Sequence, residues 1–543
     1  MDTNHQKLFK VNTNNCKINT YSLVVLFAAM AFMFTACIKD KEAEGGAPDR
    51  LFRPTIKGSL KADGNYINAT WEKIADAVTY TVQLSRDTFK TIDRTVTLDT
   101  TSVLFNNLMW DKLYQLQVRA NAADSTKSSK FGSLGVIKTA KFPSILKPFT
   151  NATDEAILVS WTTSGAPVTS IKVLKMDSTL VKDVALTPTD VAAEYKVIAG
   201  LASSTSFIVE LFSGTALRGY DTYTTKAPEA GIVIDLRNIT GRPSVLSDTI
   251  PIIPSGSTVL LKRGDTYNIS SAISLSKSIV IKSGNDVLIS SPANIYFTSN
   301  FNFAAGAVID SIVFNDLHMY SDNYGSRYIF NTTSNATVGK MKFMNSKMEI
   351  FRGITRLQSG TATVSNYIVD NCVIDSIAGY GIITVDNTTV KADNISVTNS
   401  TIYKAEKFIT SSKQTAGSSS VIVSNCTFNE TIIGSNILID YGSFNVTSGI
   451  TVSNCIFGIV KGGGTTQRDV KTGTTTPINA TNNYRTSDYV SAGAANDLSP
   501  VITYPKPSIQ LWKNPLGGDF NYLDTSFPGA PGKPSPAGDP RWK

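Results

Sequence analysis

The chain has 543 residues, with 51 Lys and Arg against 43 Asp and Glu, and only two histidines, His5 and His318. So little imidazole means that a Ser-His-Asp or Cys-His nucleophile system must use His318 or not exist, since His5 lies in an expected leader. One histidine and scattered cysteines build no zinc site, and no Gly-rich phosphate loop opens onto a helix pattern.

At the N-terminus, Lys7, Lys10 and Lys17 precede an apolar run from Leu23 to Phe34 that is too short for an ordinary transmembrane helix. The run ends in Phe34-Thr35-Ala36-Cys37, which resembles a bacterial lipoprotein signal, with Phe34 where that pattern usually has Leu. The resemblance implies that residues 1–36 are a signal peptide and that Cys37 is the lipid-attachment site, where two or more acyl chains anchor stably. The alternative is an ordinary secretory signal cut near Ala36. Loss of residues 1–36 removes three lysines and Asp2, leaving 48 basic against 42 acidic residues, a net charge of +6. Residues 37–50 carry Asp40, Glu42, Glu44, Gly45 and Gly46 and read as a flexible linker. Acidic residues just behind a lipidated Cys resemble the surface-export signal of Bacteroidota-type lipoproteins. They imply an outer-membrane lipoprotein facing the cell surface, with the periplasmic face as the alternative.

Residues 51–141 read as short alternating strands, among them Ile67 to Trp71 and Thr79 to Leu84. Leu108 is followed six residues later by Tyr114, after which Leu116, Val118 and Ala120 alternate. This arrangement resembles a fibronectin type III domain, an immunoglobulin-like sandwich with Trp71 in the core and Tyr114 on the corner. Residues 142–227 repeat the pattern, with Ile157 to Trp161 as the Trp strand and Leu201 six residues before Phe207. Phe207 takes the corner position, so that corner lacks a hydroxyl.

Residues 228–490 read as one domain, in which a ladder repeats about every 28 residues from Ile312 to Arg485. Eight-residue windows begin at Ile312, Met341, Tyr367, Ile395, Val421, Ile450 and Ile478, and their fifth position holds Asp316, Asn345, Asn371, Asn399, Asn425, Asn454 and Asn482. The spacings are 29, 26, 28, 26, 29 and 28 residues. Strand, polar turn, strand at this period predicts an all-β solenoid with three short strands per coil, a right-handed parallel β-helix. Asn tolerates left-handed backbone and stacks its amide from rung to rung, so the six asparagines are expected to be buried structural staples. The next position holds Leu317, Ser346, Cys372, Ser400, Cys426, Cys455 and Asn483 and should point into the tube. Cys426 and Cys455 fall on adjacent rungs, where a disulfide is conceivable, but buried free thiols are the reading preferred.

Residues 230–543 resemble the pectate-lyase-like superfamily in their first coils, Ser257 to Tyr267 and Ser278 to Gly284. The ending Ser535 to Lys543, with Asn482-Asn483-Tyr484 and Gly518-Asp519-Phe520 upstream, resembles uncharacterised β-helical lipoproteins of Bacteroidota polysaccharide-utilisation loci, which also carry fibronectin-like modules. The resemblance implies polysaccharide and outer-membrane glycan-uptake proteins as partners, the membrane reached through the lipid anchor, and no nucleic acid. Residues 491–543 are expected to cap the last coil, covering its unpaired edge.

Four residues each lie two before an isoleucine of the strand after the ladder turn: Arg327, Arg352, Tyr380 and Lys407. Equal parity puts them on one radial direction, a basic and aromatic stripe that could bind an acidic, pectin-like glycan. The function expected is polysaccharide binding for glycan utilisation. A polysaccharide lyase acting by β-elimination is the alternative, with no catalytic residue identified, and a structural or adhesive surface protein is a second. No cofactor or metal is expected for binding; a lyase would call for Ca²⁺, with Asp370, Asp375, Asp386 and Asp393 as candidate ligands. His318 is expected to face outward from a strand.

Overall fold

The computed structural model describes residues 49–434, 436–462, 468–492 and 497–543. The signal peptide, Cys37 and all but the end of the linker therefore lie outside the described residues. One compact unit ends at Ser144 and a second runs from Ile145 to Lys543.

In the first unit a four-stranded antiparallel sheet runs in the order Arg94–Leu98, Thr79–Ser85, Leu113–Asn121, Gly132–Lys138. Ile67–Thr70 pairs separately with Ser102–Phe105. Period-2 alternation sends Tyr114, Leu116, Val118 and Ala120 into one core with Trp71, which is 1% exposed. The Tyr114 hydroxyl accepts from the Met109 N–H at 3.2 Å and pins the corner.

The second unit begins with a sandwich of the same plan. Ala156–Ser160 pairs with Tyr195–Ala199, and a four-stranded sheet holds Ala216–Thr224, Ser206–Ser213, Ser170–Lys175 and Leu180–Ala185. Trp161 and Phe207 are buried in its core. Between Leu180–Ala185 and Tyr195–Ala199 a single helical turn, Pro188–Ala193, is fixed by a capping box of Thr187 and Asp190.

The rest of the second unit is a parallel β-helix of about nine turns. Its first sheet stacks ten strands from Val233–Asp235 to Ile478–Thr481. After each strand the chain turns at the ladder residue. Asp316, Asn345, Asn371, Asn399, Asn425, Asn454 and Asn482 all have φ between 51° and 56°. That left-handed turn is what Asn and Asp accept most readily after Gly. The amides link successive rungs: Asn371 donates to Asn345 at 2.7 Å, Asn425 to Asn399 at 3.2 Å and Asn482 to Asn454 at 2.8 Å. Asn399 departs from the pattern and donates to Asp370 at 2.9 Å.

The asparagines are not buried, as the sequence led one to expect. Asn345 and Asn371 are exposed and the other four half-buried. Left-handed backbone at a corner swings the side chain over the outside of the bend, and the following residue turns inward. Ser346, Cys372, Ser400, Cys426, Cys455 and Asn483 are accordingly buried. The three thiols are free, and burial pushes that of Cys372 up to about 12.

The second sheet follows the ladder turn, and a further corner leads to the third. On two rungs one strand serves both sheets, Lys347–Leu357 and Val373–Val385, bending at Ile350 and Ser376 with φ of 63° and 53°. The tube is filled by stacked aromatics such as Phe314 on Phe343 (centroids 5.3 Å apart) and Phe428 on Phe457 (5.1 Å), among Ile and Val. The turn Val245–Thr249 covers the first coil with Val245 and Leu246.

Pairing continues past residue 490. Ile502–Thr503 adds a rung beside Tyr484–Arg485, within the segment expected to be cap. There Asp469, 4% exposed, accepts from the Tyr489 hydroxyl and from the Leu498 N–H at 2.9 Å. Burial raises its carboxyl to about 6. A raised acid pKa favours the folded state only where the proton is kept. Stability from this group is therefore full below about pH 4, falls as pH rises through about 6, and is then lower by roughly 3 kcal/mol. Asp469→Asn should gain stability relative to the native protein between pH 4 and 7. A melting-temperature difference that does not vary with pH would contradict this.

Leu498 and Val501, within the expected cap, pack against the core of the tube. From Ser508 onward the chain runs back along the outer face of the second sheet as a strap. Trp512, Phe520, Tyr522 and Phe527 pack on Tyr403, Ile456 and Tyr484, which belong to different rungs. Asp539 accepts from Thr401 at 2.7 Å, Trp542 donates to Thr401 at 2.7 Å, and Arg541 reaches Asn371 at 2.8 Å. Apolar area holds the strap there: Tyr403, Ile456 and Tyr484 give that face a hydrophobic surface. Trp512, itself part of the strap, is fully buried.

Candidate functional site

The third sheet begins beyond the corner after the second, and this is where the stripe residues fall. Tyr328 is in register with Gly353 and Gly381, which places Arg327, Arg352 and Tyr380 on one row. Lys407 is displaced by one position: Ile383 pairs with Ile409, so Lys407 aligns with Gly381. Phe408, and not Ile409, stands opposite Ile382 on this rung. Ala378, Gly379 and Tyr380 bulge between the paired positions Ile377 and Gly381, where the neighbouring rung has only Arg352 between Phe351 and Gly353.

The bulge makes a groove of about 600 Å³, lined by Arg352, Tyr380 and Lys407 among others. Arg327 is not in the lining; its guanidinium is paired with Asp322 at 2.6 Å. The stripe is therefore three residues, not four. The Tyr380 ring carries the Arg352 guanidinium at 4.7 Å and that of Arg356 at 4.3 Å, with Tyr328 edge-on at 5.5 Å. Tyr380 thus holds two cations in place and is not the free stacking platform expected. Gly353 permits this contact, because a Cβ there would stand 2.6 Å from Cβ of Tyr380.

Charge pairing separates the cations into two kinds. Arg356 and Lys413 both bind Asp386. Burial pushes the Asp386 carboxyl up, but these two cations outweigh it and hold it below the usual range. Arg352 and Lys407 have no carboxylate partner among the described residues, so their charge is open to the groove. The far wall is Tyr324 and Glu406. Tyr324 donates to Glu406 at 2.7 Å and accepts from Lys461 at 2.6 Å. Burial, then the Glu406 acceptor, raises the phenol far above its usual range, so Tyr324 remains a donor.

Sequence reading missed Tyr324, Glu406, Lys413 and Lys461. Lys461 lies 137 residues from Tyr324, and no local pattern signals that contact. The four aspartates proposed as calcium ligands do not converge. Asp370 binds Thr398 and Asn399, Asp375 accepts from Ser376, Asp386 pairs with Arg356, and Asp393 pairs with Lys391. Among the described residues no group of three or more His, Cys, Asp or Glu side chains is placed to hold a metal ion. His318 does face outward from the second sheet, half-buried between Asn294 at 3.0 Å and Glu349 at 2.6 Å.

Fold and groove together define a protein with fibronectin type III-like modules followed by a parallel β-helix. Within the helix, residues 265–405 match a family model described as a domain of unknown function, DUF4957, and residues 421–542 match another, DUF5123. No curated protein matches the chain. Among solved structures it is similar to the FN1–FN3 domains of chicken CNTN1, at 15% identity over 33% of this chain and 69% of that one, with a TM-score of 0.16. It is also similar to a two-domain fibronectin type III segment of chicken tenascin, at 16% identity over 32% of this chain and all of that one, with a TM-score of 0.17. A third likeness is to the fn3 domain of human collagen alpha-1(XX) chain, at 19% identity over 20% of this chain and all of that one, with a TM-score of 0.16. Likenesses this slight carry no argument about function.

Proposed function

We propose that this protein binds an acidic polysaccharide of the pectin type along the groove of the third sheet. The observation that carries this reading is the pair Arg352 and Lys407, two cations without carboxylate partners in a groove whose other cations are neutralised. A guanidinium forks a carboxylate with two parallel hydrogen bonds, and an ammonium meets the next one along the chain as a point charge. The clamp of Tyr380 on Arg352 fixes that guanidinium before ligand arrives, which lowers the ordering cost of binding.

Affinity electrophoresis of residues 49–543 in gels containing polygalacturonate, highly methyl-esterified pectin or dextran tests the reading. Retardation by polygalacturonate alone, weakening as salt rises, is the expected result. Equal retardation by dextran would overturn it. Release of unsaturated, ultraviolet-absorbing product in the same samples would assign β-elimination instead.

The proposal extends to location: a glycan-utilisation lipoprotein held at the outer membrane by acyl chains on Cys37 and facing the cell surface. It rests on the apolar run that ends in Phe34-Thr35-Ala36-Cys37. Cys37→Ser should move the protein from the membrane to the soluble fraction. Unchanged membrane association of that variant would rule out acylation as the anchor.

A further inference from the structure

The outer face of the second sheet carries two columns of side chains in parallel register. One runs Asn294, His318, Lys347, Val373, Thr401, Thr427, and the other Tyr296, Tyr320, Glu349, Asp375, Tyr403, Asn429. From Thr401 and Tyr403 onward the strap covers these columns. Phe520 meets Tyr403 edge-on at 5.5 Å, and the Asp539 N–H donates to Thr427 at 3.0 Å. The strap also touches Val373 on the rung before, and among the described residues no strap residue packs on Asn294, Tyr296, His318 or Tyr320. Tyr296 and Tyr320 have centroids 5.2 Å apart, His318 lies 5.0 Å from Tyr320, and all three are half-buried.

We infer that this open stretch is a second glycan-binding surface, distinct from the groove, and that its ligand is a neutral polysaccharide. The two rings, tilted against each other on successive rungs, form an apolar strip at the strand spacing of about 4.8 Å, a repeat suited to an extended chain of pyranose rings. Polar groups flank the rings at hydrogen-bonding height. Asn294 and His318 are already bonded to one another, and Glu349 is fixed by His318 and by Lys347 at 2.7 Å. The His318 hydrogen bond, with Lys347, outweighs burial and holds the Glu349 carboxyl down to about 2. Glu349 therefore accepts from sugar hydroxyls without changing charge near neutral pH.

Charge selects the class of sugar. The groove offers two open cations, whereas this surface offers Glu349, balanced locally, and Asp375, which has no cationic partner among the described residues. A uronate chain laid along Tyr296 and Tyr320 would bring its carboxylates to Glu349 and Asp375, and like charges repel. Hydroxyl-rich neutral chains meet no such penalty. The strap itself illustrates what the face accepts, since Trp512, Phe520 and Trp542 cover the continuation of the same columns with aromatic and polar contacts.

The test is affinity electrophoresis of residues 49–543 against galactan, xylan, glucomannan and dextran, run beside polygalacturonate. At least one neutral polymer should retard the protein, and the retardation should persist at high salt. Tyr320→Ala should weaken it at least tenfold and leave retardation by polygalacturonate unchanged. Arg352→Ala should do the reverse, so loss of either site is read separately from the other. Tyr320→Phe, which keeps the ring, should retain most of the effect, and an unchanged melting temperature checks that Tyr320→Ala folds. Retardation by no neutral polymer, or retardation unaffected by Tyr320→Ala, would overturn the inference.

Discussion

Arg352→Ala should weaken binding to polygalacturonate by about 10- to 100-fold. A hydrogen bond to a charged group contributes roughly 1.5–3 kcal/mol, and every 1.4 kcal/mol is tenfold in affinity. Arg352 is half-buried, and its loss removes one of the two guanidinium contacts on Tyr380 and a longer one on buried Tyr328, about 0.5–1 kcal/mol, so the melting temperature should fall only slightly. Arg352→Lys is the informative companion. Lysine keeps the charge but lacks the planar fork, so its affinity should fall between the two. Isothermal titration with polygalacturonate oligomers at low and high salt would measure both effects. If Arg352→Ala binds as well as the native protein, the groove is not the acidic-glycan site. If Arg352→Lys equals native affinity, bidentate recognition is wrong and only charge matters.

Trp512→Ala should cost about 3–5 kcal/mol, the range for truncating a buried large aromatic. Trp512 is fully buried, meets Phe520 edge-on at 5.2 Å, and lies so close to Gly458 that a Cβ there would stand 2.8 Å from its ring. The loss should not be spread over the whole solenoid. Each rung of a repeat fold is held mainly by its neighbours, so the strap should open as a local unit while the tube persists. Limited proteolysis should then cut within residues 504–543 well below the melting temperature of the helix. Hydrogen exchange should rise in the strap and along Tyr403, Ile456 and Tyr484, and stay unchanged around Phe314 and Phe343. A strap as protease-resistant as in the native protein would show that Trp512 does not hold it down.

Much of the fold is legible in the sequence because its signals are local. The left-handed turn after the first-sheet strand favours Asn or Asp at one position per coil, and strand alternation follows within the next few residues. Trp71, Tyr114 and Trp161 mark the sandwiches for the same reason: each occupies a fixed place in a short strand pattern. The inward position after each asparagine also follows from the turn, and Cys372, Cys426 and Cys455 are buried and free. Burial of the asparagines was misread because a corner turns its own side chain outward and the next one inward.

The site was only partly legible. Arg352 and Tyr380 share a row because parity along a strand is local, whereas Lys407 lines the same groove from one position away. Arg327 is lost to Asp322, five residues away, a pairing that parity cannot foresee. Lys407 sits one position off because Ile409 takes the register of Ile383, and the length of the bulge at Ala378 to Tyr380 is not coded by any residue pattern. Which cations are neutralised, which rings are clamped and which face the strap covers were decided by the tertiary structure alone. Those features depend on contacts such as Lys461 with Tyr324 and Arg541 with Asn371, 137 and 170 residues apart. The sequence by itself determined the repeat, the turns and the inward face, since each is set by backbone geometry within a few residues. The groove and the open aromatic face arise only when rungs stack and the C-terminal strap finds the apolar surface that remains.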